Sequence, residues 1–373
     1  MNPDDGLAPD QDAIDRAASA LRSGQLVAFP TETVYGLGAD AANESAVGAI
    51  YALKGRPADH PLIVHVSSAA GARRWGNLNA AASTLADAFW PGPMTLICPL
   101  MDGMPAYACA GHPTIGIRVP SHPTAQALLR AFELLGGVGV AGPSANRFGR
   151  ISPTRASHVV DDYGAQAPLV LDGGAAKFGL ESTIIDVSTD RIRLLRPGAI
   201  EAGAVAQALG LKLHQIEVPT IARSARSVDG VDIGDTPKPR TSLNSSLPAA
   251  AGTLAAHYAP HTSLRLVQAA QINAIAQSAH EQQRRLAIYS VQVPPLIQAQ
   301  TQAQAETTLV WRRMPSSASV LAAQLYDDLR ELDALNLDEL IVERPVEQRG
   351  FAAIIDRLTR AQTGSGQSPA PHS

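Results

Sequence analysis

The sequence predicts a mixed α/β (α+β) chain built as two unequal units, and three observations carry that prediction. Short apolar runs of strand length alternate with helix-period segments from Asp10 to about Arg196. Periodicity then lapses between about Leu211 and His261, where prolines accumulate in Thr236-Pro-Lys-Pro-Arg-Thr-Ser-Leu-Asn-Ser-Ser. It returns from Leu264 to Arg360, long enough for a second, smaller α/β unit.

Each element has its own signal. Asp10 can cap a helix whose apolar positions Ile14, Ala17, Ala18 and Leu21 share one face, stopped at Gly24. Gln25 to Phe29 reads as a buried strand, followed by the polar stretch Phe29-Pro-Thr-Glu-Thr-Val-Tyr-Gly-Leu-Gly-Ala-Asp40. Asn43 caps a helix through Val47 and Ile50 that runs out at Leu53. Strands follow at Leu62–Val66, Met94–Pro99, Ile115–Val119 and Val138–Ala141, with helices from Asn79 to about Trp90 and from Thr124 to Leu134. Thr154 is the expected cap of a helix to Tyr163, before strands at Leu169, Ile184 and Ile192. In the second unit, strands are expected at Leu264–Val267, Leu286–Tyr289, Thr308–Trp311 and Leu340–Val342, with helices between and a last helix to Arg360. Residues 1–9 and the low-complexity tail 362–373 are expected to be disordered.

Composition narrows the class of function. The chain has 373 residues, 45% hydrophobic and 17% charged, without a run of the roughly 20 apolar residues that a membrane span needs, so a cytoplasmic protein with no membrane partner is expected. A net charge of −4 argues against a bulk polyanion binder. Between Lys54 and Arg196, however, 13 basic residues stand against 10 acidic ones, a local excess suited to a small anion such as a nucleotide. Cys98 and Cys109 form neither a disulfide framework nor a thiolate metal site, and no protein-held metal is expected.

Six polar clusters stand at predicted element ends: Thr31-Glu-Thr, Lys54-Gly-Arg-Pro with His60, Thr114 with Arg118, Ser144-Ala-Asn with Ser152, Glu181-Ser-Thr, and Arg196. Lys54 as a point charge and Arg56 as a planar fork suit phosphate oxygens; a solvated pair after a helix is the other reading. Gly142-Pro-Ser-Ala-Asn presents a hydroxyl and an amide beside glycine, either for phosphate or ribose or as a locally capped turn. Arg118 lies within an apolar strand and needs an anionic partner: Glu32, Glu181 or a substrate carboxylate. Gly36, Gly38 and Ala41 match a dinucleotide-fingerprint spacing, but the polar residues before them separate the match from its strand, and it is set aside.

Together, Pro30-Thr-Glu-Thr-Val-Tyr-Gly-Leu-Gly, Lys54-Gly-Arg-Pro, His60-Pro-Leu-Ile-Val-His, Trp90-Pro-Gly-Pro-Met-Thr, Ile115-Gly-Ile-Arg-Val-Pro, Gly142-Pro-Ser-Ala-Asn, Glu181-Ser-Thr and Leu195-Arg-Pro-Gly resemble the YrdC-type domain of threonylcarbamoyl-AMP synthases. The resemblance implies a YrdC-like twisted-sheet catalytic domain over 11–205, a linker or lid over 206–262, and a Rossmann-like α/β domain over 263–361. It implies a nucleotidyltransferase that forms L-threonylcarbamoyladenylate from L-threonine, bicarbonate or CO2, and ATP, for N6-threonylcarbamoyladenosine in tRNA. By the same resemblance Thr33, His65, Arg118, Gly142 and Ser182 hold threonine. Arg56, His60, Thr114, Ser144, Ser152, Arg196 and Tyr258 hold ATP, and Lys54, Arg56, Ser144 and Asn146 supply the catalytic signature. Mg2+ is expected to arrive on the ATP phosphates, and the product to pass to the tRNA threonylcarbamoyl-transferase complex.

One stretch departs from the family. Where the long form has Pro-Gly-Met-Lys-Tyr-Arg-His-Tyr, this chain has Ala251-Gly-Thr-Leu-Ala-Ala-His-Tyr, keeping Gly252, His257 and Tyr258 and losing both basic residues. The rival readings are a non-catalytic RNA-binding or ribosome-assembly module, which brings a weak RNA contact, and a carbamoyl-transfer domain of the hydrogenase-maturation type. The second requires cysteine-rich zinc fingers, which two cysteines cannot supply.

Overall fold

The computed structural model of the chain describes residues 10–218, 252, 254–294 and 309–366. Most of the expected linker, residues 1–9 and residues 367–373 of the expected tail lie outside the described residues.

The first unit is a mixed sheet of nine strands among the described residues, ordered β7-β1-β2-β6-β3-β5-β4-β8-β9. Its strands are β1 (Val27–Phe29), β2 (Gly36–Asp40), β3 (Ile63–His65), β4 (Met94–Pro99), β5 (Thr114–Arg118), β6 (Val140–Ala141), β7 (Leu169–Val170), β8 (Thr183–Asp186) and β9 (Arg193–Arg196). Helices α1 (Gln11–Arg22), α2 (Glu44–Lys54), α3 (Ala69–Trp75), α4 (Ala80–Phe89), α5 (Pro123–Leu134), α6 (Ala156–Tyr163) and α7 (Ala202–Ala208) pack around it. Asp10, Asn43 and Asn79 cap α1, α2 and α4 through their side-chain oxygens, as their types predict. Strand alternation sorts the core. Val27 and Phe29 join the apolar faces of α1 and α5, whereas Ala28, Leu37 and Ala39 face the side occupied by α2 and Trp75.

Several expectations change. Gly36–Asp40, the end of the polar stretch to which no element was assigned, is a strand antiparallel to β1, and its glycines admit the Phe29 ring. A Cβ on Gly38 would lie 2.9 Å from Val140 Cγ1 and 3.0 Å from Phe29 Cε1. Helices α3 and α7 carry too few apolar positions for their period to stand out. Thr154 does not cap α6, since its hydroxyl bonds Asp327 instead. The boundary expected at residue 205 falls within α7. Beyond it Ile216 enters the first unit's core and Glu217 bridges Arg193.

The second unit is an all-parallel sheet of four strands among the described residues, ordered β10 (Leu264–Val267), β13 (Glu339–Glu343), β11 (Leu286–Ser290), β12 (Leu309–Arg313). Leu286 and Ile288 face α8 (Ala269–Glu281), while Ala287 and Tyr289 face α9 (Ala318–Asp333) and α10 (Ala352–Gly364). Helix α10 thus extends past the expected boundary at 361. The core under α9 and α10 also takes in Val34, Ile151 and Leu180 of the first unit. At Gly179, with φ +68°, the first unit approaches α9 so closely that a Cβ would sit 2.4 Å from the Ala322 carbonyl oxygen.

Gly38→Ala should destabilise the chain by about 1–3 kcal/mol through overpacking against two buried side chains. Urea unfolding measures this, and an unchanged midpoint would show that the hairpin relaxes without cost.

Candidate functional site

Strand register assembles the site at one margin of the large sheet. Parallel pairing of β3 with β5 sets His65 directly beside Arg118. Strand β4 runs antiparallel to β5 and parallel to β8, and β8 runs antiparallel to β9. The start of β8, with Glu181 and Ser182 ahead of it, and the end of β9, Arg196, therefore arrive at the same margin as Arg118. The 142–153 loop is laced to β2 and its approach by Leu37 N–H to Pro143 O (2.8 Å), Ala145 N–H to Tyr35 O (2.8 Å) and Tyr35 N–H to Pro153 O (2.8 Å). The resulting cavity, about 50 Å³, is lined by Thr33, Arg56, His65, Arg118, Gly142, Ser144, Ser182, Arg196 and Tyr258 among the predicted residues.

Arg118 is buried and donates from Nη1 to Thr33 Oγ1 (2.9 Å) and from Nε to Gly92 O (3.3 Å). Of the two protein carboxylates open to it, Glu32 is the one in contact, its Oε1 2.7 Å from Nη2 in a buried ion pair. Burial raises the Glu32 carboxyl, yet Arg118 outweighs it and holds the group below its usual range. The Thr33 hydroxyl is also set by the Thr31 hydroxyl at 2.8 Å. His65, wedged edge-on against Phe29, is lowered to about 3 by burial and then by Arg118, so it is neutral, with Nδ1 unpartnered among the described residues.

Across the cavity, Arg56 donates to Pro61 O (3.2 Å), lies 5.8 Å from the Phe148 ring centre and keeps a buried Nε without a hydrogen-bond partner among the described residues. Arg196 donates from Nε to Ser182 O and from Nη2 to Ser182 Oγ, both at 3.1 Å, and Thr95 holds the same Ser182 hydroxyl at 2.7 Å. Tyr258 closes the space, with φ +62° and its hydroxyl 3.3 Å from Gly252 O.

Other predicted residues act behind the wall. Lys54 donates to Ser144 O at 2.6 Å and to Asn146 O, which fixes the serine loop rather than presenting its charge to the cavity. Burial and then Arg56 hold its pKa well below the lysine range. Asn146 Nδ2 clasps Arg147 O (2.7 Å) and Arg150 O (2.8 Å), and Ser152 donates to Glu181 Oε1 at 2.5 Å. His60 packs on Phe148, and Thr114 opens β5, four residues ahead of Arg118; neither lines the cavity.

Sequence reasoning missed the groups that hold Glu181. Arg357 of α10 donates from Nε to Glu181 Oε2 at 2.8 Å, and Tyr326 of α9 donates to the same oxygen at 3.1 Å. Glu181 is lowered to about 2 because Arg357 and then Arg196 outweigh its burial. The available signal was Arg357 itself, a charge set within the apolar run Ile354-Ile355-Asp-Arg-Leu358, which is the same pattern that singled out Arg118.

A carboxylate with a depressed folded pKa contributes stability that is complete above the unfolded value and is lost as pH falls. Here that window runs from 4.5 down to about 2. Glu181→Gln should therefore flatten the dependence of unfolding free energy on pH across that window, measured by urea titrations; an unchanged slope would contradict the assignment.

Comparison with known proteins gives the family. A family model described as "Telomere recombination" matches residues 19–198, and one described as "Threonylcarbamoyl-AMP synthase, C-terminal domain" matches residues 213–363. The threonylcarbamoyl-AMP synthase of Bacillus subtilis is 34% identical over 364 residues, covering 96% of each chain. That of Schizosaccharomyces pombe is 31% identical, covering 96% of this chain and 90% of its own. The crystal structure of P. abyssi Sua5 complexed with L-threonine superposes with a TM-score of 0.79 at 30% identity, covering 95% of both chains. With both units matched in order and nearly the whole length aligned, the chain belongs to the threonylcarbamoyl-AMP synthase family.

Proposed function

We propose that the chain forms L-threonylcarbamoyladenylate and pyrophosphate from L-threonine, bicarbonate or CO2, and MgATP. The observation that carries this reading is the cavity wall, where three arginines, Arg56, Arg118 and Arg196, converge with the hydroxyls of Thr33, Ser144 and Ser182. Every reactant after the first step is an anion, and a buried cationic wall offsets the repulsion of bringing anions together.

In this reading Arg118, held in place by Glu32, binds the threonine carboxylate. Thr33 and Ser182 take the threonine hydroxyl and carboxylate, while neutral His65 accepts from the amine. The L-threonine complex of the P. abyssi relative supports an amino-acid site in this fold. The unprotonated amine adds to the carbon of CO2, forming the N–C bond and losing a proton. A carbamate oxygen then attacks the α-phosphorus of ATP; the bond to the β-phosphate oxygen breaks, and pyrophosphate leaves with that electron pair. Arg56 and Arg196, with Ser144, neutralise the phosphate charge. Lys54 and Asn146 keep Ser144 in place, and His60 and Thr114 extend the site on the Arg56 side.

Magnesium enters as part of the substrate. Glu32 and Glu181 are each engaged by an arginine, and among the described residues no group of three or more His, Cys, Asp or Glu could hold a metal. Tyr258, on the cavity wall, packs over the bound reactants and helps to keep water from the labile carbamate. The product, a reactive mixed anhydride, is consumed by the complex that modifies tRNA, with at most a weak RNA contact by this chain. No helix among the described residues is long and apolar enough to cross a membrane.

Pyrophosphate release should require both L-threonine and bicarbonate. Arg118→Ala should lower kcat/KM for threonine by about a hundredfold, the effect of losing one buried charged contact of roughly 2.7 kcal/mol. Tyr258→Ala should lower turnover. Release without either co-substrate, or none with folded protein, would contradict the proposal; RNA affinity falling steeply with salt would then favour the binding module.

A further inference from the structure

Glu181 is an acid on the wall of a cavity that must take up polyanions, and its carboxylate is engaged by the second unit. Arg357 reaches it across 176 positions of sequence, at 2.8 Å, and donates from Nη2 to Pro197 O (3.0 Å), one residue beyond Arg196. Tyr326, 145 positions away, adds a hydrogen bond of 3.1 Å, and Ser152 supplies the third donor. The next residue, Ser182, holds Arg196 by both its carbonyl and its hydroxyl. Two buried arginines therefore flank Glu181, and Arg357 also donates from Nη1 to the buried Asp356, which Arg360 shares; of these arginines only Arg196 is assigned to the nucleotide.

We infer that Arg357, supported by Tyr326, is a positioning residue of the second unit: by engaging Glu181 it keeps that carboxylate off Arg196 and leaves Arg196 on Ser182, oriented toward the phosphates of MgATP. The inference rests on the synthase reading for the role of Arg196. Electrostatics supplies the reason. In a low-dielectric site a carboxylate that loses its partner swings to the nearest cation, and here that turns a phosphate ligand into a structural ion pair. Charge on Glu181 also repels phosphate directly unless Arg357 compensates it. The low pKa of Glu181 agrees, since Arg357 and then Arg196 are the two groups that outweigh its burial. A short chain consisting of the first unit alone would have to satisfy its glutamate differently.

The test compares full-length wild type, Arg357→Met, Glu181→Gln and the double variant Glu181→Gln/Arg357→Met, the last removing the Glu181 and Arg357 charges at near-constant volume while Asp356 keeps its partner Arg360. MgATP binding is read by calorimetry, and KM for ATP and for L-threonine by pyrophosphate release. Arg357→Met should weaken MgATP binding and raise the ATP KM by about tenfold or more, with the threonine KM moved by less than about threefold. The double variant should bring both ATP values back to within about threefold of wild type. A double variant no better than Arg357→Met overturns the inference, as do equal rises in the two KM values. Arg357 also lies 5.0 Å from the Tyr258 ring centre, and an effect routed through that ring would persist in the double variant, because that contact stays lost. Calorimetry needs no turnover: a wild type that binds MgATP but releases no pyrophosphate counts against the synthase reading alone, and the binding series still decides this inference. A wild type that binds no MgATP overturns both.

Discussion

Burying the Glu181 carboxylate obliges the two units of this chain to fold against one another. The acid lies in the first unit, while two of its three donors, Arg357 and Tyr326, come from α10 and α9 of the second. Removing one partner of such a pair typically costs about 3–5 kcal/mol, because the remaining charge stays buried. Everything else at the junction follows that geometry. Arg330 grips Asp162, Arg155 meets Asp327, and Gly179 leaves room for the α9 backbone where any side chain would collide. The shared core of Val34, Ile151 and Leu180 with the α9 and α10 side chains then excludes water from the pair.

The same constraint shapes the chemistry. A wall of three arginines is strongly repulsive when empty of anions and becomes favourable only as anionic reactants arrive. Glu32 and Glu181 moderate that repulsion, each tied to an arginine so that neither is aimed at a phosphate. Catalysis in such a site depends on placement, and the supporting residues are accordingly numerous. Lys54 and Thr95 hold the cavity residues Ser144 and Ser182 from behind, Asn146 clasps the loop that follows Ser144, and Thr31, itself on the wall, sets the Thr33 hydroxyl.

Much of this was legible in the sequence where local chemistry decides the outcome. Capping residues and apolar periods placed the ends of α1, α2 and α4, and the isolated charge of Arg118 in an apolar strand pointed to a buried functional cation. What local chemistry does not encode was missed. Gly36 and Gly38 stood in a stretch read only as polar, and they prove to be strand glycines against which the Phe29 ring, seven and nine residues away, packs 3.1 and 3.0 Å from where a Cβ would lie. Lys54 read as a phosphate ligand because a lysine is a compact point charge, whereas the serine-loop carbonyls capture its ammonium from 90 positions away. The partnership of Glu181 with Arg357 joins residues in separate units, and neither residue's neighbours in sequence hint at the other.

The amine of threonine, and not its carboxylate, takes up the one-carbon unit, so that the carbonyl carbon of the product derives from bicarbonate. Mass spectrometry of the adenylate formed from ATP, L-threonine and 13C-bicarbonate tests it most directly. The account predicts an adenylate that carries both threonine and one 13C atom. A threonyl adenylate without the label would mean that the carboxylate of threonine is the nucleophile, and would contradict it.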